Sequence, residues 1–122
     1  MRSRSWVQRI QDILEMITEI ESFTNGITFE DFRGDTKTVK AVLYNLTIIG
    51  EAARNIPPEV EVRYPEIPWI DMRGMRNVVI HEYFRVNWET IWQTLQDDLP
   101  PLGVQLRELL ERIDEAEAPT DS

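Results

Sequence analysis

Arg73-Gly74-Met75-Arg76-Asn77-Val78-Val79-Ile80-His81-Glu82-Tyr83 contains the single histidine of the chain. Wound as a helix at about 100° per residue, the stretch sorts into two sides. Met72, Met75, Val78 and Val79 gather on one, within roughly 120°. Arg73, Arg76, Asn77, His81 and Tyr83 gather on the other, with Ile80 and Phe84 among them. A surface helix ordinarily turns an apolar stripe to the core and a solvated face to water. Here the second face mixes two guanidiniums, an amide, an imidazole and a phenol with two large apolar groups. That reads as a second buried surface with chemistry on it. A histidine near a helix end is more often a cap or a solvated group than a catalyst. The neighbours of His81 tip the reading toward a reactive site.

Working outward, every flanking segment also reads as helix. Val7, Ile10, Ile13, Leu14, Ile17 and Ile20 recur at helical spacing, with Ser3 or Ser5 as cap and Asn25-Gly26 as stop. Phe29 and Phe32 fit one helical turn. Asp35 caps a second long helix with Val39, Val42, Leu43, Leu46, Ile49 and Ala53 on one side. Gly50 falls on that stripe, where a glycine costs about 1 kcal/mol against alanine, so close helix approach is its expected benefit. Pro57-Pro58 ends the helix. Residues 57–68 hold four prolines and read as a connector with a short helix around 59–63. Pro68 opens the central helix, which ends near Tyr83 or Phe84. Asn87 caps a short helix with Trp88, Ile91, Trp92 and Leu95. Asp98, with Pro100-Pro101 behind it, is expected to cap a last helix carrying Leu102, Leu106, Leu109, Leu110 and Ile113. The expectation is an all-α bundle of about five helices over residues 1–114, with an acidic, unstructured tail at 115–122. The outward face of the central helix invites a homodimer.

The totals narrow the function classes. A chain of 122 residues is one domain, and 42% hydrophobic content gives it a core. Thirteen basic against 22 acidic residues leave a net charge of -9, so nucleic acid is repelled except at a local basic focus. Residues 71–85 provide one, three arginines against two acids for a net of +1. The absence of cysteine rules out disulfides and thiolate metal sites. One histidine, with no carboxylate cluster at ligand spacing, argues against a protein-built metal site or a bound cofactor. No apolar run nears the roughly 20 residues of a membrane span, and the first residues lack a signal peptide's apolar segment. The expectation is a cytoplasmic protein that binds no membrane.

RNA cleavage by internal attack suits these residue types. The ribose 2′-hydroxyl loses a proton, the phosphorane is neutralised, and the leaving 5′-oxygen gains a proton. Imidazole titrates where both proton steps need it. A guanidinium forks to phosphate oxygens, and an amide such as Asn77 hydrogen-bonds either partner. Arg76 and His81 lie five residues apart, about 140° around a helix, so one helix does not converge them on one phosphate. Two copies facing across a twofold axis do.

Arg76-Asn77-Val78-Val79-Ile80-His81 resembles the R-polar-x-x-x-H signature of HEPN-domain ribonucleases, and His81-Glu82-Tyr83 extends it to the R-x4-H-x-Y form of HepT-like toxins. Ile49-Gly50-Glu51-Ala52-Ala53, Ile67-Pro68-Trp69 and Asn87-Trp88 through Trp92 look like further landmarks of that family, over roughly residues 5–112. The resemblance implies a helical homodimer with a metal-independent endoribonuclease cleft at its interface, acting on RNA. It implies Arg76 and His81 as the catalytic pair and Asn77 as their polar support. It also implies an MntA-type nucleotidyltransferase antitoxin that transfers AMP onto Tyr83, where a bulky anion would block the cleft.

Other readings stay open. Glu51 reads as an ion-pair partner of Arg73 or Arg76 rather than a general base, and Arg73 as a helix-holding or phosphate-touching group. Tyr83, taken without the resemblance, reads as an interface packer. Trp69, Trp88 and Trp92 read as core or interface anchors rather than base-stacking platforms. The rival function is a non-catalytic helical module that binds and regulates a minimal nucleotidyltransferase.

Overall fold

Isoleucines at 10, 13, 17 and 20 recur at the helical period, and all four are buried in α1 (Trp6–Thr24). A computed structural model describes residues 5–85 and 87–117, with side chains at 5–77 and 87–113. Ser5 starts α1 through a reciprocal capping box: its Oγ accepts from the Gln8 amide at 3.1 Å, and its own amide donates to Gln8 Oε1 at 3.0 Å. Gly26, with φ 78°, takes the left-handed conformation that lets the chain leave α1.

A second capping box, Thr28 with Asp31, starts the short α2 (Phe29–Gly34). Phe32 is fully buried there, its ring 5.1 Å from that of Trp92. Asp35 then caps α3 (Thr36–Arg54), accepting from the Thr38 hydroxyl at 2.8 Å and its amide at 3.2 Å. Those bonds, the hydroxyl's first, hold the Asp35 carboxyl below its ordinary range.

The centre of the bundle is α3. It packs against α1 on one flank and α5 on the other, and α1 also packs against α7. Val42, Leu46, Ile49 and Ala53 form its buried stripe. Asn45, 3% exposed, is the polar tie to α1: its Nδ2 donates to Glu19 Oε1 at 2.9 Å and to the Met16 carbonyl at 3.3 Å. Burying an amide is tolerated only with such partners.

Pro57 and Pro58 precede and open α4 (Pro58–Arg63). The connector beyond it is pinned to α7 by Arg112, which pairs with Glu66 at 2.7 Å and lies over the Tyr64 ring at 5.5 Å. α5 (Trp69–Arg85) begins one residue after the expected Pro68, whose carbonyl accepts from the Met72 amide. Asn87 caps α6 (Trp88–Gln93) as expected.

The expected cap at Asp98 is not formed. Residues Thr94–Asp98 make a single wide π turn that runs directly into α7 (Leu99–Glu117), with the Leu99 amide donating to the Thr94 carbonyl. Prolines at 100 and 101 lack amide hydrogens, and their rings press on carbonyls four residues back. The wider turn gives that crowding room, so the chain passes through the prolines without breaking. α7 continues to Glu117, so residues 115–117 of the expected tail are helical, and 118–122 lie outside the described residues. Among the described residues the architecture is all-α, four long helices with short ones between them. Among the described residues no helix is long and apolar enough to cross a membrane.

Candidate active site

Met72 and Met75 anchor α5 in the core, at 0% and 4% exposed. The side toward α3 is set by Gly50. A Cβ there would stand 2.8 Å from the Arg76 amide nitrogen and 2.9 Å from the Arg76 Cβ, so only glycine lets the two helix backbones meet. The next residue, Glu51, puts its Oε2 3.0 Å from Arg76 Nε. Both side chains remain partly in solvent, 39% for Arg76 and 47% for Glu51. Arg73, one turn earlier, pairs with Glu61 of α4.

The outer side of α5 carries Ile70, 75% exposed, then Gly74, where an added Cβ would meet nothing within 4 Å, then exposed Asn77. His81 and Tyr83 belong to the last turns of α5, and their side chains lie outside the described residues. Of the expected residues, Arg76 and Glu51 meet where α3 and α5 touch, whereas Asn77 is exposed on the outer side of α5. Arg73 is engaged by a different carboxylate. Nothing in the sequence points to Glu61, since a six-residue helix in a proline-rich connector has no periodicity that indicates its partner.

Electrostatics divides the two flanks of α5. Opposite the arginines, a groove of about 590 Å³ between α5 and the start of α7 includes Asp71, Asp97 and Asp98 in its lining and no lysine or arginine. Desolvation, followed by the charges of Asp97 and Asp71, pushes the Asp98 carboxyl above its ordinary range. Such a groove disfavours a polyanion on that flank of α5. Among the described residues no three histidine or acidic side chains gather so as to hold a metal ion. The tryptophans are anchors, not platforms. Trp69 is buried, with its Nε1 donating to the Tyr64 carbonyl at 2.9 Å, and Trp92 packs on Phe29 and Phe32.

Comparison with known proteins identifies the family. The family model described as "Ribonuclease HepT-like" matches residues 13–109. A probable ribonuclease HepT of Thermococcus cleftensis is 45% identical over 106 residues, covering 87% of this chain and 96% of that protein. A putative RNase of Methanocaldococcus jannaschii is 39% identical, covering 86% and 87%. One from Caldanaerobacter subterraneus is 38% identical, covering 84% and 92%. No solved structure matches the chain.

Proposed function

This chain belongs to the HepT-like ribonuclease family, and on that premise we propose that it is a metal-independent endoribonuclease toxin acting as a homodimer. The observation that carries this reading is the Arg76 guanidinium, ion-paired with Glu51 yet partly in solvent. His81 follows Asn77 by four residues, one turn along the same helix.

In the proposed reaction the His81 imidazole of one copy takes the proton of a ribose 2′-hydroxyl. The 2′-oxygen attacks the adjacent phosphorus, and the 5′-oxygen leaves with a proton returned by an imidazolium. The products are a 2′,3′-cyclic phosphate and a 5′-hydroxyl end. Arg76 neutralises the charge building on the phosphorane oxygens. Asn77 orients the imidazole or the phosphate. The second copy docks on the outer face of α5, where exposed Ile70 supplies apolar area and Gly74 presents bare backbone for close approach. That pairing brings the arginine of one helix and the histidine of the other to a shared cleft.

Control of the toxin is proposed to come from an MntA-type nucleotidyltransferase. The Tyr83 phenol attacks the α-phosphorus of ATP, pyrophosphate leaves, and the resulting AMP ester fills the cleft and engages its arginines.

The test is incubation of purified protein with RNA beside His81→Ala and Arg76→Ala variants. Cleavage with cyclic phosphate ends, lost in His81→Ala, reduced to a small residual rate in Arg76→Ala and retained in a chelator, is expected. Equal inactivity of all three, with tight binding to the nucleotidyltransferase kept, would replace the proposal with the non-catalytic regulatory module.

A further inference from the structure

We infer that Glu51 is a positioning residue: it fixes the Arg76 guanidinium in the direction from which it meets phosphate. The inference rests on the nuclease reading above and assigns Glu51 neither acid nor base work. Three features of the structure converge on it. Gly50 brings the α3 backbone against the Arg76 amide and Cβ, so the root of the arginine side chain is fixed by α3. Glu51, the adjoining residue, then reaches the same side chain at 3.0 Å. One dipeptide therefore sets both the origin and the heading of Arg76.

The contact is made at Nε, the nitrogen nearest the aliphatic stem. Anchoring there leaves the terminal nitrogens as the fork for phosphate oxygens. An arginine free to sample its rotamers would have to be ordered at the moment of reaction, and pre-ordering lowers the barrier. Both partners are more than a third exposed, and ion pairs of that kind add little to folding stability. A stability role therefore gives a weak account of the pair, whereas a role in aiming Arg76 uses its geometry directly. Arg73 is not an alternative partner, because its guanidinium is paired with Glu61.

The experiment measures kcat and KM on an RNA substrate for the full chain, Glu51→Ala, Glu51→Gln, Arg76→Ala and the double variant Glu51→Ala/Arg76→Ala, with thermal unfolding of each. Glu51→Ala is expected to lower kcat roughly 10-fold or more while KM moves less than about 3-fold. Glu51→Gln, which keeps an acceptor oxygen at the same reach, should recover a large part of that loss. The double variant should be no slower than Arg76→Ala alone, since a positioning group has nothing left to position. A kcat for Glu51→Ala within about 2-fold of the parent, or above it, overturns the inference, as does full additivity in the double variant. If Glu51→Ala fails to fold, Glu51→Gln decides, because activity as low as that of Arg76→Ala in a folded Gln variant also overturns it. Parent cleavage lost in Arg76→Ala but untouched in Glu51→Ala removes this inference alone. A parent that cleaves no RNA removes the nuclease reading and this inference with it.

Discussion

Gly50 and Arg76 meet backbone to backbone, with the position of a missing Cβ only 2.8 Å from the Arg76 amide nitrogen. Adding that Cβ forces α3 and α5 apart, because the atoms it strikes are main chain and Cβ rather than a side-chain tip. Overpacking costs about 2–3 kcal/mol where main chain must shift, the upper part of a range of about 1–3, and alanine's better helix propensity returns about 1 kcal/mol. Gly50→Ala should therefore destabilise by about 1–2 kcal/mol, seen as a melting point lower by roughly 5 °C. RNA cleavage should fall further than the unfolded fraction accounts for, since the displaced residue is Arg76. A variant as stable and active as the parent would mean that the helices separate without cost.

Ile70 offers a test of the proposed dimer. Three quarters of this large apolar side chain is in solvent, one turn before the bare backbone of Gly74. Buried against a second copy, a carboxylate there is desolvated without a partner and costs several kcal/mol. Ile70→Asp should shift the protein from dimer to monomer in sedimentation velocity and lower cleavage by about 10-fold or more, as expected of a composite site. Val104→Asp, a similar exposed change on α7, is the control and should alter neither.

Much of the bundle is legible in the chain because its long helices bury one stripe each. Ile10, Ile13, Ile17 and Ile20 define α1 without further information, and Val42, Leu46 and Ile49 define α3. Ser5, Asp35 and Asn87 announce helix starts by chemistry that acts over three residues. Gly50 is legible for a related reason, since an interior glycine on a buried stripe needs a close neighbour. Which neighbour it meets is a tertiary fact. Asp98 followed by Pro100-Pro101 reads as a fresh start because local rules treat proline as a boundary, and packing of Leu95 and Leu99 in one core carries the helix through instead. The sequence leaves Arg73 and Arg76 both open as partners of Glu51, and only the α3–α5 approach selects Arg76.

Arg76→Lys separates charge from geometry. An ammonium on a flexible stem keeps the positive charge but loses the planar fork and the Nε contact with Glu51. The expected result is a fall in kcat/KM of about 10- to 100-fold. The melting point should fall by no more than about 4 °C, because a half-exposed pair contributes roughly 0–1 kcal/mol. Full activity in the lysine variant would reduce Arg76 to a source of field rather than a directed donor.

Asp98 gives a pH-dependent prediction on the opposite flank of α5. Desolvation and the neighbouring charges of Asp97 and Asp71 raise its pKa on folding, so the folded chain holds that proton more tightly than the unfolded chain does. A carboxyl raised in this way contributes stability below its unfolded pKa and loses that contribution as pH rises through the folded value. At neutral pH its charge works against the fold. Asp98→Asn should raise the melting point by roughly 1–3 °C at about pH 7 and leave it unchanged or lower at about pH 3, the modest size reflecting a side chain that is still exposed. Cleavage per dimer should be unaffected, because the acidic groove reaches Ile70 and Gly74 of the proposed docking face but not Arg76. A gain of equal size at both pH values would trace to packing rather than to the carboxylate, and a loss at neutral pH would mean that Asp98 accepts a hydrogen bond the π turn needs.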